Sequence, residues 1–330
     1  MSRRSLLKAG AGALMASSLL MTSPATAGSL PRLYSTESLQ DVGPSMQRSS
    51  PACLDRSDGH VIVLHGGGVG GGAQQAGALY SYLKGGGPLP KCIVGSSIGA
   101  MIAVSLHQAA SEVVNDGPAA VRQAMLDTLE RMFVSEFPKA NVVAKVLGVL
   151  PKFNAEAKPK SQAATFLQMS GLAALPLRAG APFDVGVAVT ELGASGTLGA
   201  SRIVWNSGIS AEIVNASAAH KHVQPVNGMV DGNYGDYLGS LSHHIGDGQK
   251  LHFFTTYRPD DPAGTANVHA AAGLSALKAK GADVTVSFAD VPEASRHDMG
   301  GTAAYFMMGV EQGKGTFRQR RTAQDAPLTR

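Results

Sequence analysis

A serine flanked by two glycines, between an apolar run and a helix-favouring run, constrains the fold of this chain more than any other feature. The run Cys92-Ile93-Val94 leads into Gly95-Ser96-Ser97-Ile98-Gly99, and Ala100-Met101-Ile102-Ala103-Val104 follows. A tight turn from strand to helix pushes the serine hydroxyl out of the sheet, and the flanking glycines are needed because a Cβ there would collide with neighbouring backbone. The pattern therefore predicts a nucleophile elbow in an α/β fold, with Ser97 as the candidate nucleophile.

A second strand-to-helix turn, rich in glycine, lies upstream of the elbow. His60–His65 is typical of a buried strand, and Ala73–Leu83 has the apolar spacing of a helix. Backbone N–H groups of such a turn can point at one spot, where the helix N-terminus adds partial positive charge. A flexible linker, a dinucleotide loop and an oxyanion hole are the three interpretations. The candidate oxyanion residues are Gly66, Gly67, Gly68, Val69, Gly70 and Gly71.

The residues around this turn favour the oxyanion hole. A dinucleotide loop expects an acidic residue about 20 positions after the glycines, yet Ser81 to Val94 contains no Asp or Glu. A linker would not be bracketed by an apolar strand and an amphipathic helix.

The two glycine motifs, together with a distant Asp231-Gly232 pair, resemble the patatin-like phospholipase family. Asn215-Ala216-Ser217-Ala218-Ala219 and the run from Phe183 to Glu191 are also similar to blocks of that family, so the resemblance covers about residues 60 to 240. The resemblance implies a single α/β domain, whose sheet has helices on both faces. It also implies a lipid ester as substrate and a reaction that needs no cofactor. It also implies a Ser97–Asp231 dyad, in which Asp231 is the general base, with Gly95, Gly99 and Gly232 supporting the motifs.

Two departures from the family pattern keep other functions open. No basic residue lies between Gly66 and Gly72, where the family has Arg or Lys, and Asn233 follows Asp231-Gly232 where the family commonly has a second glycine. The missing basic residue is compatible with a catalytically silent protein that binds lipid or a partner on the same scaffold. The other alternative is an esterase of the α/β-hydrolase type with a Ser97–Asp231–His297 triad, which the short spacing between the two glycine motifs disfavours.

The N-terminus predicts export. Arg3 and Arg4 precede an apolar run from Ala9 to Met21 and the small-residue site Ala25-Thr26-Ala27, which resembles a twin-arginine signal cleaved after residue 27. We therefore expect a bacterial periplasmic or secreted protein. Removing residues 1–27 takes away three basic and no acidic residues, which lowers the formal net charge from +4 to +1.

The rest of the chain predicts one α/β domain with two flanking segments. We expect a poorly ordered extension at 28–59, a catalytic domain at 60–312 and a basic tail at 313–330. Region 112–180 has two interpretations, core helices or a lid. The tail also has two, a solvated segment or a peripheral contact with anionic lipids. Asp236 is an alternative acid to Asp231. We expect neither nucleic-acid binding nor a metal, since the histidines at 220, 222, 243 and 244 have poor zinc spacing.

Overall fold

One mixed sheet carries the fold in the computed structural model of the protein. Its strands are β1 (His60–Leu64), β2 (Cys92–Gly95), β3 (Asp184–Leu192), β4 (Leu198–Trp205), β5 (Met229–Asp231), β6 (Lys250–Thr255) and β7 (Asp283–Phe288). They lie in the order β4-β3-β2-β1-β6-β7, with β5 paired to β3. The contacts β1–β2, β1–β6, β2–β3 and β6–β7 are parallel, whereas β4 and β5 run antiparallel to β3.

The structure describes Leu54 and residues 59–146, 161–177, 180–193, 195–219, 224–245, 247–256, 265–289, 291–292 and 295–324. These residues all belong to one compact unit, Ser49–Arg330. The predicted signal at 1–27, most of the predicted extension at 28–59 and the end of the basic tail lie outside the described residues.

Helices connect and cover the strands. They are α1 (Gly68–Lys84), α2 (Ile98–Glu112), α3 (Pro118–Glu130), α4 (Phe137–Val146), α5 (Ala163–Met169), α6 (Ala211–Ser217), α7 (Tyr237–Ser242), α8 (Thr265–Ala279) and α9 (Thr302–Gln324). A π-helical turn at Arg131–Glu136 joins α3 to α4. Of the helices that the structure describes, none combines the length and apolar character needed to span a membrane.

The central strand β1 explains why helices lie on both faces of the sheet. Successive strand residues point to opposite faces, and here the four residues after His60 are apolar and fully buried. Ile62 and Leu64 join an apolar cluster with α1, α2 and α3. Val61 and Val63 join a second cluster with α7 and α8. The predicted α/β sheet with helices on both faces is therefore confirmed.

The glycine run differs from its predicted form. It was expected to be an extended turn followed by a helix from Ala73, but α1 already begins at Gly68. A Cβ on Gly72 would lie 2.3 Å from Cγ1 of Ile98, and one on Gly71 would lie 2.6 Å from Cγ2 of Thr256. These glycines therefore serve close packing of the first helical turns, and the connection itself is short.

Candidate active site

Ser97 lies at the turn between β2 and α2 in a strained backbone conformation. Its φ of 56° and ψ of −126° are rare for a residue with a side chain, and such conformations concentrate at functional sites. A Cβ on Gly95 would lie 2.2 Å from the carbonyl oxygen of Gly99, and one on Gly99 would lie 2.1 Å from that of Leu64. Both glycines of the motif are thus required for the turn, and Ser97 remains partly exposed while Ser96 is fully buried.

Asp231 reaches the elbow because β5 pairs with β3, the neighbour of β2. The residue is 5% exposed, and its carboxylate accepts a hydrogen bond of 2.7 Å from the Ser96 hydroxyl. The Asn233 N–H donates to the same oxygen, Oδ1, over 3.0 Å. Oδ2 is therefore the oxygen left to accept a proton.

The surroundings of Asp231 make it a stronger base than an ordinary aspartate. Burial raises the pKa of Asp231 from 3.8 to about 6, and hydrogen bonds from Asn233, Ser96 and Ser97, in that order, partly oppose the increase. Desolvation disfavours the charged form, whereas donors favour it. The net result is a carboxylate that is ionised at neutral pH and holds a proton more readily than an exposed one, as general base catalysis requires.

Ser217, which the sequence did not single out individually, fixes the backbone of the elbow. Its hydroxyl is fully buried, accepts the N–H of Ser97 at 3.0 Å and donates to the carbonyl of Ala188 at 2.8 Å. The N–H of the candidate nucleophile is therefore occupied within the protein. The motif around Ser217 was visible in the sequence, but the contact to Ser97 depends on the pairing of β2 and β3.

The glycine turn runs beside the elbow. A Cβ on Gly66 would lie 2.8 Å from Cβ of Ser97, so the two residues are in direct contact. The N–H of Gly66 donates to Oδ1 of Asn233 at 3.4 Å, and that of Gly70 donates to the carbonyl of Arg296 at 2.9 Å.

The next three N–H groups in the turn have no hydrogen-bond acceptor within the described ranges. They belong to Gly67, which is buried, and to Gly68 and Val69. Gly68 and Val69 are partly exposed and lie in the first turn of α1, where the helix carries partial positive charge. Of the six residues predicted for the oxyanion hole, these three present the free donors, Gly66 and Gly70 are bonded within the protein, and Gly71 packs against Thr256.

The histidines stand apart from the two candidate catalytic residues. In the described part of the chain, no histidine forms a hydrogen bond or ion pair with Ser97 or Asp231. His65 lies within 2.7 Å of the Tyr237 hydroxyl through Nδ1, and burial lowers its pKa to about 3, so it stays neutral. His220 and His222 lie outside the described residues, and the described ones contain no metal-binding cluster of His, Cys, Asp and Glu.

Burial and the charge of Asp231 both raise the pKa of Tyr237 well above its usual value. The phenol of Tyr237 is therefore neutral. It pairs with His65 and interacts electrostatically with Asp231. The alternative acid Asp236 has another task, since it is exposed and its Oδ1 accepts the N–H of Gly239 at 2.7 Å as the cap of α7.

Cys92, at the start of the elbow strand, is disulfide-bonded. The other cysteine of the sequence, Cys53, lies outside the described residues.

No model of a known protein family matches the chain, and no curated protein matches it in sequence. Among solved structures, it is similar to the ExoU–SpcU complex of the type III secretion system of Pseudomonas aeruginosa, at 13% identity over 80% of this chain and 52% of that chain, with a TM-score of 0.30. VipD from Legionella pneumophila matches at 12% identity over 80% of this chain and 67% of that chain, with a TM-score of 0.31.

A second structure of full-length ExoU with full-length SpcU matches at 13% identity over 80% of this chain and 53% of that chain, with a TM-score of 0.29. This chain therefore spans about half the length of the ExoU chains.

Proposed function

We propose that the protein is an exported serine hydrolase that cleaves carboxylic esters of lipids through a Ser97–Asp231 dyad. The observation that carries the proposal is the buried Asp231 carboxylate, held by Ser96 beside the strained and accessible Ser97. A nucleophile with a base of raised pKa next to it is the arrangement that activates a hydroxyl. The resemblance of the glycine and Asp-Gly motifs to patatin-like phospholipases supports the lipid ester as substrate.

The reaction divides into acylation and deacylation. Oδ2 of Asp231 accepts the Ser97 proton while Oγ attacks the ester carbonyl, and the carbonyl oxygen becomes an oxyanion near the free N–H groups of Gly67, Gly68 and Val69. The tetrahedral intermediate collapses to an acyl-enzyme as the proton passes from Asp231 to the leaving alcohol. Water then attacks the acyl-enzyme, Asp231 accepts the water proton and returns it to Oγ, and a fatty acid leaves. Each well-directed oxyanion donor is worth about 10²–10³ in rate.

Labelling with a fluorophosphonate tests the proposal directly. The wild-type protein should be labelled at one serine and should hydrolyse both a short-chain nitrophenyl ester and phosphatidylcholine vesicles. Ser97→Ala should abolish labelling and hydrolysis. The matched control is Ser207→Ala, since Ser207 is an exposed serine in the turn Asn206–Gly208. A folded wild-type protein that binds the vesicles without labelling or turnover would instead favour the catalytically silent binding protein.

Export is the second part of the proposal. It is supported by the resemblance of the N-terminus to a twin-arginine signal and by the disulfide of Cys92, since disulfides persist in oxidising compartments. Replacing Arg3 and Arg4 together by Lys should trap the precursor in the cytoplasm of a bacterial host, because Lys does not reproduce the guanidinium geometry. Fractionation checks this, and normal export of the double variant would refute the twin-arginine signal.

A further inference from the structure

Asn233, directly after the Asp-Gly motif, contacts both the candidate base and the glycine turn. It belongs to the short turn Gly232–Tyr234 that follows β5 and is 7% exposed. Its backbone N–H donates to Asp231, and its side-chain Oδ1 accepts the N–H of Gly66. One residue therefore links the candidate base to the glycine turn.

The Nδ2 group of Asn233 and the side chain of Ser97 lie on the same side of Gly66. A Cβ built on Gly66 would lie 1.8 Å from Nδ2 of Asn233 and 2.8 Å from Cβ of Ser97. The amide nitrogen and the serine side chain thus flank the same point above Gly66. The N–H of Gly66 fixes which end of the amide is which, because a donor there requires the oxygen on its side.

This amide donor is unused within the protein. Across the described residues, Nδ2 of Asn233 has no hydrogen-bond acceptor, and the atom keeps some exposure to solvent. Its N–H groups are therefore free to bind water or another acceptor. A substrate oxygen at the Ser97 side of Gly66 can take the place of that water.

We infer that Nδ2 of Asn233 donates a hydrogen bond to the oxyanion that forms when Ser97 attacks the ester carbonyl. This inference rests on the function proposed above. A neutral amide here joins the free N–H groups of the glycine turn, in a chain that has no basic residue between Gly66 and Gly72. Asn side chains can supply such a donor because they place an N–H dipole at the developing charge without a counter-charge. The same residue keeps Gly66 in place through Oδ1, so donation and positioning have to be separated by experiment.

Two substitutions separate donation to the oxyanion from positioning of Gly66. Asn233→Asp keeps an oxygen for the N–H of Gly66 but replaces the donor by a second oxygen, and Asn233→Ala removes both groups without adding charge. Asn115→Asp is the control for the added charge, since Asn115 is exposed in the turn Val114–Asp116. Each variant is assayed as the full exported chain with a short-chain nitrophenyl ester from pH 5 to 10.

We expect both Asn233 variants to lose about 10²–10³ in kcat with KM changed much less. The loss should persist at the high-pH plateau, where a mere change in the pKa of Asp231 no longer matters. Inhibition by a trifluoromethyl ketone, whose serine adduct carries the oxyanion, should weaken by a similar factor. Asn115→Asp should behave as wild type.

Two results would overturn the inference while leaving the proposed function standing. In the first, both Asn233 variants keep a plateau kcat within threefold of the wild type. In the second, Asn233→Ala lowers the plateau kcat but Asn233→Asp keeps the wild-type value. Asn233 would then only position Gly66 and would not donate to the oxyanion. Failure of the proposed function is distinguished because the wild type itself would then lack Ser97-dependent turnover.

Discussion

The hydroxyl of Ser96 donates to Oδ1 of Asp231 over 2.7 Å, although the neighbouring Ser97 occupies the strained position of the elbow. The two adjacent serines therefore have different positions and contacts. Ser96 is fully buried and orients the carboxylate, whereas Ser97 is partly exposed. A serine in the variable position of the Gly-x-Ser-x-Gly motif thus helps to set the pKa of Asp231.

Loss of the Ser96 hydroxyl should shift the pH dependence of catalysis. Asp231 acts as a base only when deprotonated, so kcat/KM should rise with pH through its pKa of about 6. The Ser96 hydroxyl stabilises the charged form, and Ser96→Ala should therefore move this acidic limb to higher pH. A pH–rate profile measures the shift. Ser105→Ala is the matched control, because Ser105 is buried and donates within α2; an unmoved limb in Ser96→Ala would contradict the assignment.

Neutralising the base should stabilise the fold. The pKa of Asp231 is higher in the folded protein, about 6 against 3.8, so the folded state binds a proton more tightly and loses stability as pH rises between these values. Asp231→Asn removes this loss, which amounts to at most roughly 3 kcal/mol above pH 6. Denaturant titrations should find the variant more stable than wild type at pH 8, with the difference vanishing near pH 3.

The control for this comparison is Asp116→Asn, an exposed carboxylate whose removal should change stability little at either pH. If Asp231→Asn is equally or less stable than wild type at pH 8, the carboxylate is not under the desolvation that its burial implies.

Adding a methyl group to the glycine turn should impair catalysis without unfolding the protein. A Cβ on Gly67 would lie 2.1 Å from Oγ1 of Thr256, so the turn has to shift and its N–H groups lose their direction. We expect Gly67→Ala to lose about 10²–10³ in kcat. Gly199→Ala is the control, because its Cβ would meet Glu191 at an ordinary 3.4 Å. Wild-type turnover in folded Gly67→Ala would place the oxyanion hole elsewhere.

The strands and the elbow could be predicted because their signals are local. Cys92–Gly95 and His60–Leu64 are short apolar runs bounded by glycine, and each appears as a strand in the structure. The predicted start of α1 was wrong, because glycine propensity indicates a turn. In the structure, Gly71 packs against Thr256 and Gly72 against Ile98, and this packing favours a helix there. Tertiary contact outweighs local propensity at that point.

The supporting residues of the site could not be predicted from spacing alone. Ser217 and Asn233 contact Ser97 and Gly66 only because β5 and α6 fold back on β3, and strand order is a long-range property. Strand β4 was missed because none of its residues is fully buried, so it lacks the apolar alternation on which strand prediction depends.

The last prediction sets the dyad against a triad. If Ser97 works with Asp231 alone, Ser97→Ala and Asp231→Asn should each abolish esterase activity in folded protein, and no histidine should be essential. Single replacements by Gln should keep at least about a tenth of kcat/KM, a loss under roughly 1.4 kcal/mol of transition-state stabilisation. The variants cover His65, His220, His222, His243, His244, His252 and His297.

Circular dichroism and thermal denaturation serve as the control, above all for His65, whose buried ring packs against Tyr237 and whose loss should lower stability. The described histidines form no hydrogen bond or ion pair with Ser97 or Asp231, which is why we expect activity per folded molecule to survive. In a Ser-His-Asp enzyme, removal of the histidine instead costs several orders of magnitude. Such a loss in His297→Gln, with the fold intact, would replace the dyad by the Ser97–Asp231–His297 triad of an α/β-hydrolase esterase.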